Sequence, residues 1–367
     1  MTGKEIYIAD RIFTGKGWLE DHAILAGDGV IRELIPLKQL SSDTATKNFA
    51  GNTIVPSFID LQIYGAYGKL LAVYPEADAL SLLNEYCKKG GAAFCLAAVA
   101  TNTKEVFLKC IDAVKNYWKQ GGEGILGLHI EGPWLNPVKR GAHIESLIHA
   151  PTVEEVKELL NYGKGVIKMI TVAPEMCSKE IIELILSYDV ILSAGHSNAT
   201  YEEAMKGFGS GITTATHLYN AMSPLQHRKP GLVGAIMDHP SAMASIIPDG
   251  YHVDFAAIRI AKKAMDDRLF VITDAVTETD KGYYQHHLAG DKYESAGILS
   301  GSALTMARSV QNLVSYCNIS LAEALRMCSL YPAKVMKLDD RLGKIEKGYQ
   351  AKLTVLDKDN RVVDIIS

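Results

Sequence analysis

Residues 191–234 read ILSAGHSNATYEEAMKGFGSGITTATHLYNAMSPLQHRKPGLVG, and their pattern decides the architecture. Two β-type runs, 190–194 and 212–216, each lead into a histidine, His196 and His217. Between them Tyr201–Phe208 carries helical spacing. A strand–helix unit repeated, with an imidazole just past the carboxyl end of each strand, predicts a parallel α/β fold in which both rings reach one ligand. Imidazole nitrogen suits Zn²⁺ and similar divalent ions. A lone histidine at such a place more often packs or caps a loop. A matched pair points to metal.

The alternation extends outward on both sides. Apolar, β-favouring runs fall at 58–63, 93–99, 125–130, 167–172, 190–194, 212–216, 244–248 and 269–273. Helical stretches fall at 76–89, 103–119, 152–162, 178–188, 200–208 and 255–266. Strands buried on both faces read as continuous apolar runs, and eight of them with intervening helices predict a (β/α)₈ TIM-type barrel. Helices after residue 302 are expected to close its outer ring. The polar, Tyr- and His-rich stretch 277–297 reads as a flap or loop at the site. The chain ends differ: EIYIADRIF, HAILAGDGVIRELIP and KNFAGNTIVP at the start, and KIEKG, AKLTVLD and RVVDIIS at the end, are short and strand-like. Gly27-Asp28-Gly29 marks a hairpin. We expect 1–55 with 339–367 to form a small β-sandwich domain, and 56–338 to form the catalytic barrel.

Composition agrees with a large folded unit. The chain has 367 residues, 48% hydrophobic and 22% charged, enough for a substantial core. Net charge is −4 with basic residues interspersed, which argues against a nucleic-acid surface. No apolar run reaches the length of a membrane span, and the start lacks the pattern of a secretory signal. The six cysteines form no CxxC and read as reduced thiols of a cytoplasmic protein.

In such a barrel the carboxyl ends of the strands carry the chemistry. Polar residues stand there on strand after strand: Gln62 and Tyr64, Glu131, His196, His217, the run Asp249-Gly250-Tyr251-His252, and Asp274. Glu131 with the two histidines makes a three-ligand site that leaves a fourth position open. Such a site lowers the pKa of bound water to about 7 and polarises a carbonyl. Asp274 is then the expected general acid/base. A bland reading makes Asp274 a helix cap and Glu131 a loop charge, but it leaves their shared rim unexplained. His129 lies two residues from Glu131 on the same strand face and is given no role.

At these residues the sequence resembles the N-acetylglucosamine-6-phosphate deacetylases of the amidohydrolase superfamily. The resemblance spans nearly the whole chain. It rests on VPSFIDLQ (55–62), GLHIEGPWLNPVKRGAH (127–143), AGHSNA (194–199), THLYNAM (216–222), RKPGLVGA (228–235), PDGYHVD (248–254), ITDA (272–275) and SGSALTM (300–306), in that order. It implies hydrolysis of the acetamide of a phosphorylated N-acetyl amino sugar. One divalent metal per subunit, Zn²⁺ or else Fe²⁺, Mn²⁺ or Co²⁺, would sit on Glu131, His196 and His217, with Asp274 as acid/base. Ala142 and His143 match residues that meet the sugar, His143 also polarising the acetamide carbonyl. Asn220, Ala221 and His252 match the phosphate end, and Leu304, Thr305 and Met306 match a backbone stretch lining the sugar pocket. Arg228 matches an arginine supplied by the neighbouring subunit, which implies a homodimer.

The chain departs from the superfamily at strand 1. Many members carry His-x-His there and hold a second metal, whereas this chain has Gln62-Ile63-Tyr64. Tyr64 stands where single-metal deacetylases more often have Asn, VPSF replaces PGF, and GAYGKL replaces a Gly-rich segment. The alternatives are the N-acetylgalactosamine 6-phosphate substrate, another amidohydrolase such as a dihydroorotase or cyclic-amide hydrolase, and a barrel kept as an interaction protein. The missing His-x-His weighs against the second, and the intact Glu131, His196, His217 and Asp274 against the third.

Overall fold

The computed structural model describes residues 5–40 and 45–366; Ser367, the last residue of the expected strand RVVDIIS, lies outside them. Packing divides the chain into two compact units. One is built from the chain up to Ile59, from Cys87–Phe94 and from Thr305 onward, the other from Asp60–Tyr86 and Cys95–Leu304.

An eight-stranded parallel sheet organises the second unit, apart from the opening residues of its first two strands, which are counted with the first. Its strands are β1 (Phe58–Ile63), β2 (Ala92–Ala100), β3 (Ile125–Glu131), β4 (Ile167–Val172), β5 (Ile191–Ala194), β6 (Thr214–Ala215), β7 (Met243–Ile246) and β8 (Leu269–Val271), bonded in sequence order. The ring closes just beyond β8, where Ala275 bridges to Ile63 and the Asp274 amide donates to the Gln62 carbonyl at 3.0 Å. Asp60 secures this closure by accepting from the amides of Gln62 (3.2 Å) and Thr273 (3.1 Å) and from the Thr273 hydroxyl. All eight expected strands are present, the sixth shortened to two residues.

Helices between the strands start at caps legible in the sequence. Thr152, Ser178 and Thr200 each accept an amide of the first turn, and Thr200 with Glu203 forms a reciprocal box. A helix at Gly231–Asp238 has no helical signature in the sequence, because Gly231 and Gly234 lower its propensity. The expected flap, 277–297, supplies two strands of an antiparallel three-stranded sheet, His287–Ala289 and Lys292–Ser295; the third, Ile298–Ser302, lies just beyond it and is tethered to the barrel by a bridge between Ser302 and Ala275.

The terminal unit holds a seven-stranded sheet. Its main order is Val362–Ile366, Leu353–Leu356, Lys47–Pro56, Glu5–Phe13, His22–Gly27 and Val30–Pro36, with Trp18–Leu19 added to Glu5–Phe13. Val30 bridges to Gln350, just before the strand Leu353–Leu356, so the sheet folds over on itself. Tyr7, Ile12, Ile24, Ile31, Ile54 and Leu353 fill the space enclosed. The Asp28-Gly29 turn has positive φ at both residues (56° and 71°), the geometry of a tight two-residue hairpin. The helices Met306–Cys317, Leu321–Cys328 and Leu330–Val335, expected in the outer ring, group with this unit. Polar ties hold them there: the Arg326 guanidinium donates to the carbonyls of Gly15 (2.9 Å) and Lys16 (3.1 Å), and Gln311 donates to Asp359 O at 3.1 Å.

Candidate active site

Glu131 is the last residue of β3, and His196, His217 and Asp274 follow β5, β6 and β8 within three residues. His196, His217 and Asp274 all have left-handed backbone, with φ of 46°, 40° and 54°. Such conformations cost about 1–3 kcal/mol each for non-glycine residues and persist where the surroundings enforce them. Gly195 shows the crowding, since a Cβ there would lie 2.7 Å from the Thr171 side chain. The sharp turns bring the four side chains together.

His217 Nε2 lies 3.0 Å from Glu131 Oε1 and 3.1 Å from His196 Nε2, and His196 Nε2 lies 3.3 Å from the same oxygen. Donors bonded to one tetrahedral ion at about 2.0–2.2 Å stand roughly 3.3–3.6 Å apart. The observed triangle is therefore close to the size that a divalent ion requires. His196 Nδ1–H donates to the Lys139 carbonyl at 2.9 Å, which leaves Nε2 with a free lone pair. Glu131, His143 and His196 also bring donor atoms within 4.8 Å of one another. His143 differs in tautomer, however. Its Nδ1 faces the Thr101 amide at 3.4 Å and the Thr101 hydroxyl at 2.7 Å, so its proton belongs on Nε2, which donates to Glu131 Oε2 at 3.2 Å.

The strand-1 pair completes the cluster. The Gln62 amide nitrogen reaches Asp274 Oδ1 at 2.8 Å, Glu131 Oε1 at 3.1 Å and the Tyr64 hydroxyl at 2.7 Å. Tyr64 in turn donates to Glu131 Oε2. Burial raises the Asp274 carboxyl well above the usual carboxylate range, and the nearby Glu131, Asp60 and Asp249 charges add to this. Burial also opposes ionisation of Glu131, but His196 and His143 outweigh it and hold Glu131 well below its ordinary value. Two buried carboxyl groups are thus pushed in opposite directions. Burial brings His143 down to about 4, with His196 contributing, so it is neutral near pH 7. His129 is likewise buried and near 4, donating to the Leu61 carbonyl (3.0 Å) and paired with the Thr171 hydroxyl (2.7 Å).

Above this cluster opens a cavity of about 190 Å³. Ala142, His143, Asn220, Ala221 and His252 line it together with the residues already described. Asp249 Oδ2 accepts from His252 Nδ1–H at 2.5 Å, leaving Nε2 as the ring's other polar atom. Leu304, Thr305 and Met306 are not among the lining residues. Leu304 is buried with its amide on Ser302 Oγ at 3.0 Å, and Thr305 caps the helix Met306–Cys317. Arg228 also lies outside the cavity, exposed at the tip of a tight turn closed by paired backbone hydrogen bonds between Gln226 and Lys229.

The amidohydrolase family model matches residues 53–366, and that of the NagA composite domain matches residues 8–54. The chain belongs to the amidohydrolase family. An N-acetylglucosamine-6-phosphate deacetylase of Haemophilus influenzae is 34% identical over 366 residues, covering 97% of this chain and 96% of the relative. An N-acetylgalactosamine-6-phosphate deacetylase of Shewanella sp. is 32% identical over 371 residues, covering 98% and 94%. The crystal structure of the N-acetylglucosamine-6-phosphate deacetylase from Pasteurella multocida is 33% identical and superposes with a TM-score of 0.95, covering 99% of this chain and 98% of that one.

Three polar residues of this amidohydrolase's cavity were not singled out by the sequence: Tyr284, His286 and Ser300. The Tyr/His-rich composition of 277–297 was the signal for Tyr284 and His286, but a loop reading could not say which side chains turn inward; Ser300 was marked only by its place at the start of SGSALTM. Asp60 was also missed, since an aspartate inside an apolar run gives no hint that it clamps strand 8 to strand 1.

Proposed function

We propose that this amidohydrolase hydrolyses the acetamide of N-acetylglucosamine 6-phosphate, giving glucosamine 6-phosphate and acetate. The observation that carries the proposal is the triangle of Glu131 Oε1, His196 Nε2 and His217 Nε2, with sides of 3.0, 3.1 and 3.3 Å, beside the buried acid Asp274. We assign these three as the ligands of one divalent metal per subunit, because His143 carries its proton on the nitrogen that faces Glu131. Bound there, the ion supplies Lewis-acid polarisation and acidification of water. Zn²⁺ is our choice, and Fe²⁺, Mn²⁺ or Co²⁺ use the same donors.

The protein's own groups do the rest. We assign the neutral His143 to polarise the acetamide oxygen through Nε2–H, which turns from Glu131 Oε2 to the substrate when the sugar binds. Asp274 takes the proton of the attacking water and delivers it to the departing amine nitrogen. Asn220, Ala221 and His252 form the end of the cavity for the phosphate. Arg228 supplies a fixed charge to the neighbouring subunit's site in a homodimer, a reading supported by its exposed place outside its own cavity and by the exposed Leu225 on the same excursion. Residues 1–55 with 339–367 remain our choice for a separate β-domain, supported by a sheet built only from terminal strands. A cytoplasmic location is supported by six cysteines that form no disulfide among the described residues.

The galactosamine epimer is the second reading, favoured by the 32% identity to the Shewanella enzyme of that name. Acetate release from a panel tests both: the two 6-phosphates, their unphosphorylated sugars, and acetylated amino acids. The expected result is fastest turnover of N-acetylglucosamine 6-phosphate, abolished by chelation. Turnover of an acetylated amino acid with none of either sugar phosphate would overturn the reading.

A further inference from the structure

A sugar bound in this cavity needs partners for its ring hydroxyls, and most of the wall offers none. Leu70, Ala98, Ala100, Val276 and Leu299 make one side apolar. The Tyr284 proton is committed, because its hydroxyl donates to the Thr101 carbonyl at 2.7 Å. Asn220 and His252 are assigned to the phosphate end. What remains is His286 with Ser300. His286 is 4% exposed, lines the cavity, and has its Nδ1 2.9 Å from Ser300 Oγ. Its ring lies nearly parallel to Tyr284 (12°, centroids 6.2 Å), and its carbonyl accepts from the Thr279 amide at 3.1 Å. Ser300 thus orients the ring through Nδ1, and the Thr279 amide fixes the backbone that carries it. Among the described residues, no hydrogen bond is made by its Nε2.

We propose that His286, oriented by Ser300, reads a ring hydroxyl of the amino sugar and sets preference between the two 4-epimers. The inference rests on the substrate reading above and deepens it. Burial holds His286 near 4, so the ring is neutral and has one donor and one acceptor nitrogen. A sugar hydroxyl both donates and accepts, so either tautomer makes the bond. The strand Ile298–Ser302 gives the pair its rigidity, because Ser302 is pinned to the Thr273 carbonyl (2.5 Å) and Ser300 lies two residues along the same strand. A site built around a hydroxyl rejects the analogue that misplaces it, because its own polar group is then left unpaired.

The test compares His286→Phe, His286→Gln and Ser300→Ala with the wild type, using N-acetylglucosamine 6-phosphate and its 4-epimer. His286→Phe keeps an aromatic ring and removes both nitrogens. It should raise KM by about tenfold, the scale of one hydrogen bond, with kcat changed by less than about threefold and the epimer ratio reduced. His286→Gln should recover part of the loss, and Ser300→Ala should show a smaller loss of the same kind. Metal content should stay at the wild-type value throughout. A His286→Phe enzyme with wild-type KM and epimer ratio overturns the inference while leaving the substrate reading intact. If that variant does not fold, unchanged KM and ratio in Ser300→Ala overturn it equally. A wild type inactive on both sugars overturns the substrate reading, and this inference with it.

Discussion

Replacing Tyr64 by Phe isolates the hydroxyl that most distinguishes strand 1. Tyr64 is 8% exposed and the change keeps its ring, so no cavity forms. The hydroxyl donates to Glu131 Oε2, and among the described residues the only other donor at that oxygen is His143 at 3.2 Å. Gln62 is little affected, because its amide still faces Asp274 Oδ1 at 2.8 Å and Glu131 Oε1 at 3.1 Å. The loss therefore falls on Glu131. A hydrogen bond to a charged group contributes about 1.5–3 kcal/mol, roughly 10- to 150-fold in a binding constant. Residues that orient a metal ligand typically matter by about 10- to 100-fold in affinity. Competition against a chelator of known affinity reads this directly, with thermal melting of the metal-free protein as control. Weaker metal binding with little change in the metal-free melt is expected. Unchanged affinity together with a large drop in melting temperature would make Tyr64 a packing residue and refute the reasoning.

Elemental analysis should find one divalent metal per chain, since the Gln62 amide spans the gap between Glu131 and Asp274 where a second ion would need donors; two at full occupancy would contradict this. His196→Ala or His217→Ala should lose the metal and keep the fold, as measured by metal content and circular dichroism. Arg228→Ala should weaken turnover of the phosphorylated sugar far more than that of N-acetylglucosamine, and mixing it with Asp274→Asn subunits should restore activity. No recovery after confirmed exchange would place Arg228 in its own subunit's function. His129 tests the pH dependence of stability. Burial depresses it from 6.5 to about 4, so between those values the unfolded chain binds more protons and stability rises with pH. The contribution is full above 6.5 and lost on descent to 4, on the order of 3 kcal/mol. Urea unfolding across this window should be flatter for His129→Gln than for the wild type, and equal slopes would show that His129 is not held neutral.

The barrel was legible because a strand buried on both faces needs an apolar run, and β2 and β3 are buried nearly throughout. The paired histidines were legible for the same reason: each interrupts such a run at its end. The flap sheet was not. Its strands KYES and ILSGS are only partly buried, so neither continuous nor alternating hydrophobicity marks them. Pairing with Ala275 rather than side-chain burial fixes their position, and such long-range pairing leaves no local trace. The ligand set could be read from residue type and place, but the left-handed turns that aim it could not, because histidine and aspartate, though enriched at positive φ, adopt it in only a small minority of their occurrences. Gln62 and Tyr64 looked like a loss of metal ligands. In three dimensions they are donors that hold Glu131 and Asp274 together.

The most direct measurement is the initial rate of acetate release from N-acetylglucosamine 6-phosphate by the wild type and by Asp274→Asn, both assayed for metal. The asparagine keeps the shape, so metal content should be unchanged. It cannot take the proton from water or return one to the amine, so the rate should fall by about 10²–10⁴-fold. A metal-replete Asp274→Asn enzyme that releases acetate at close to the wild-type rate would contradict the assignment of Asp274 as the acid/base of this site.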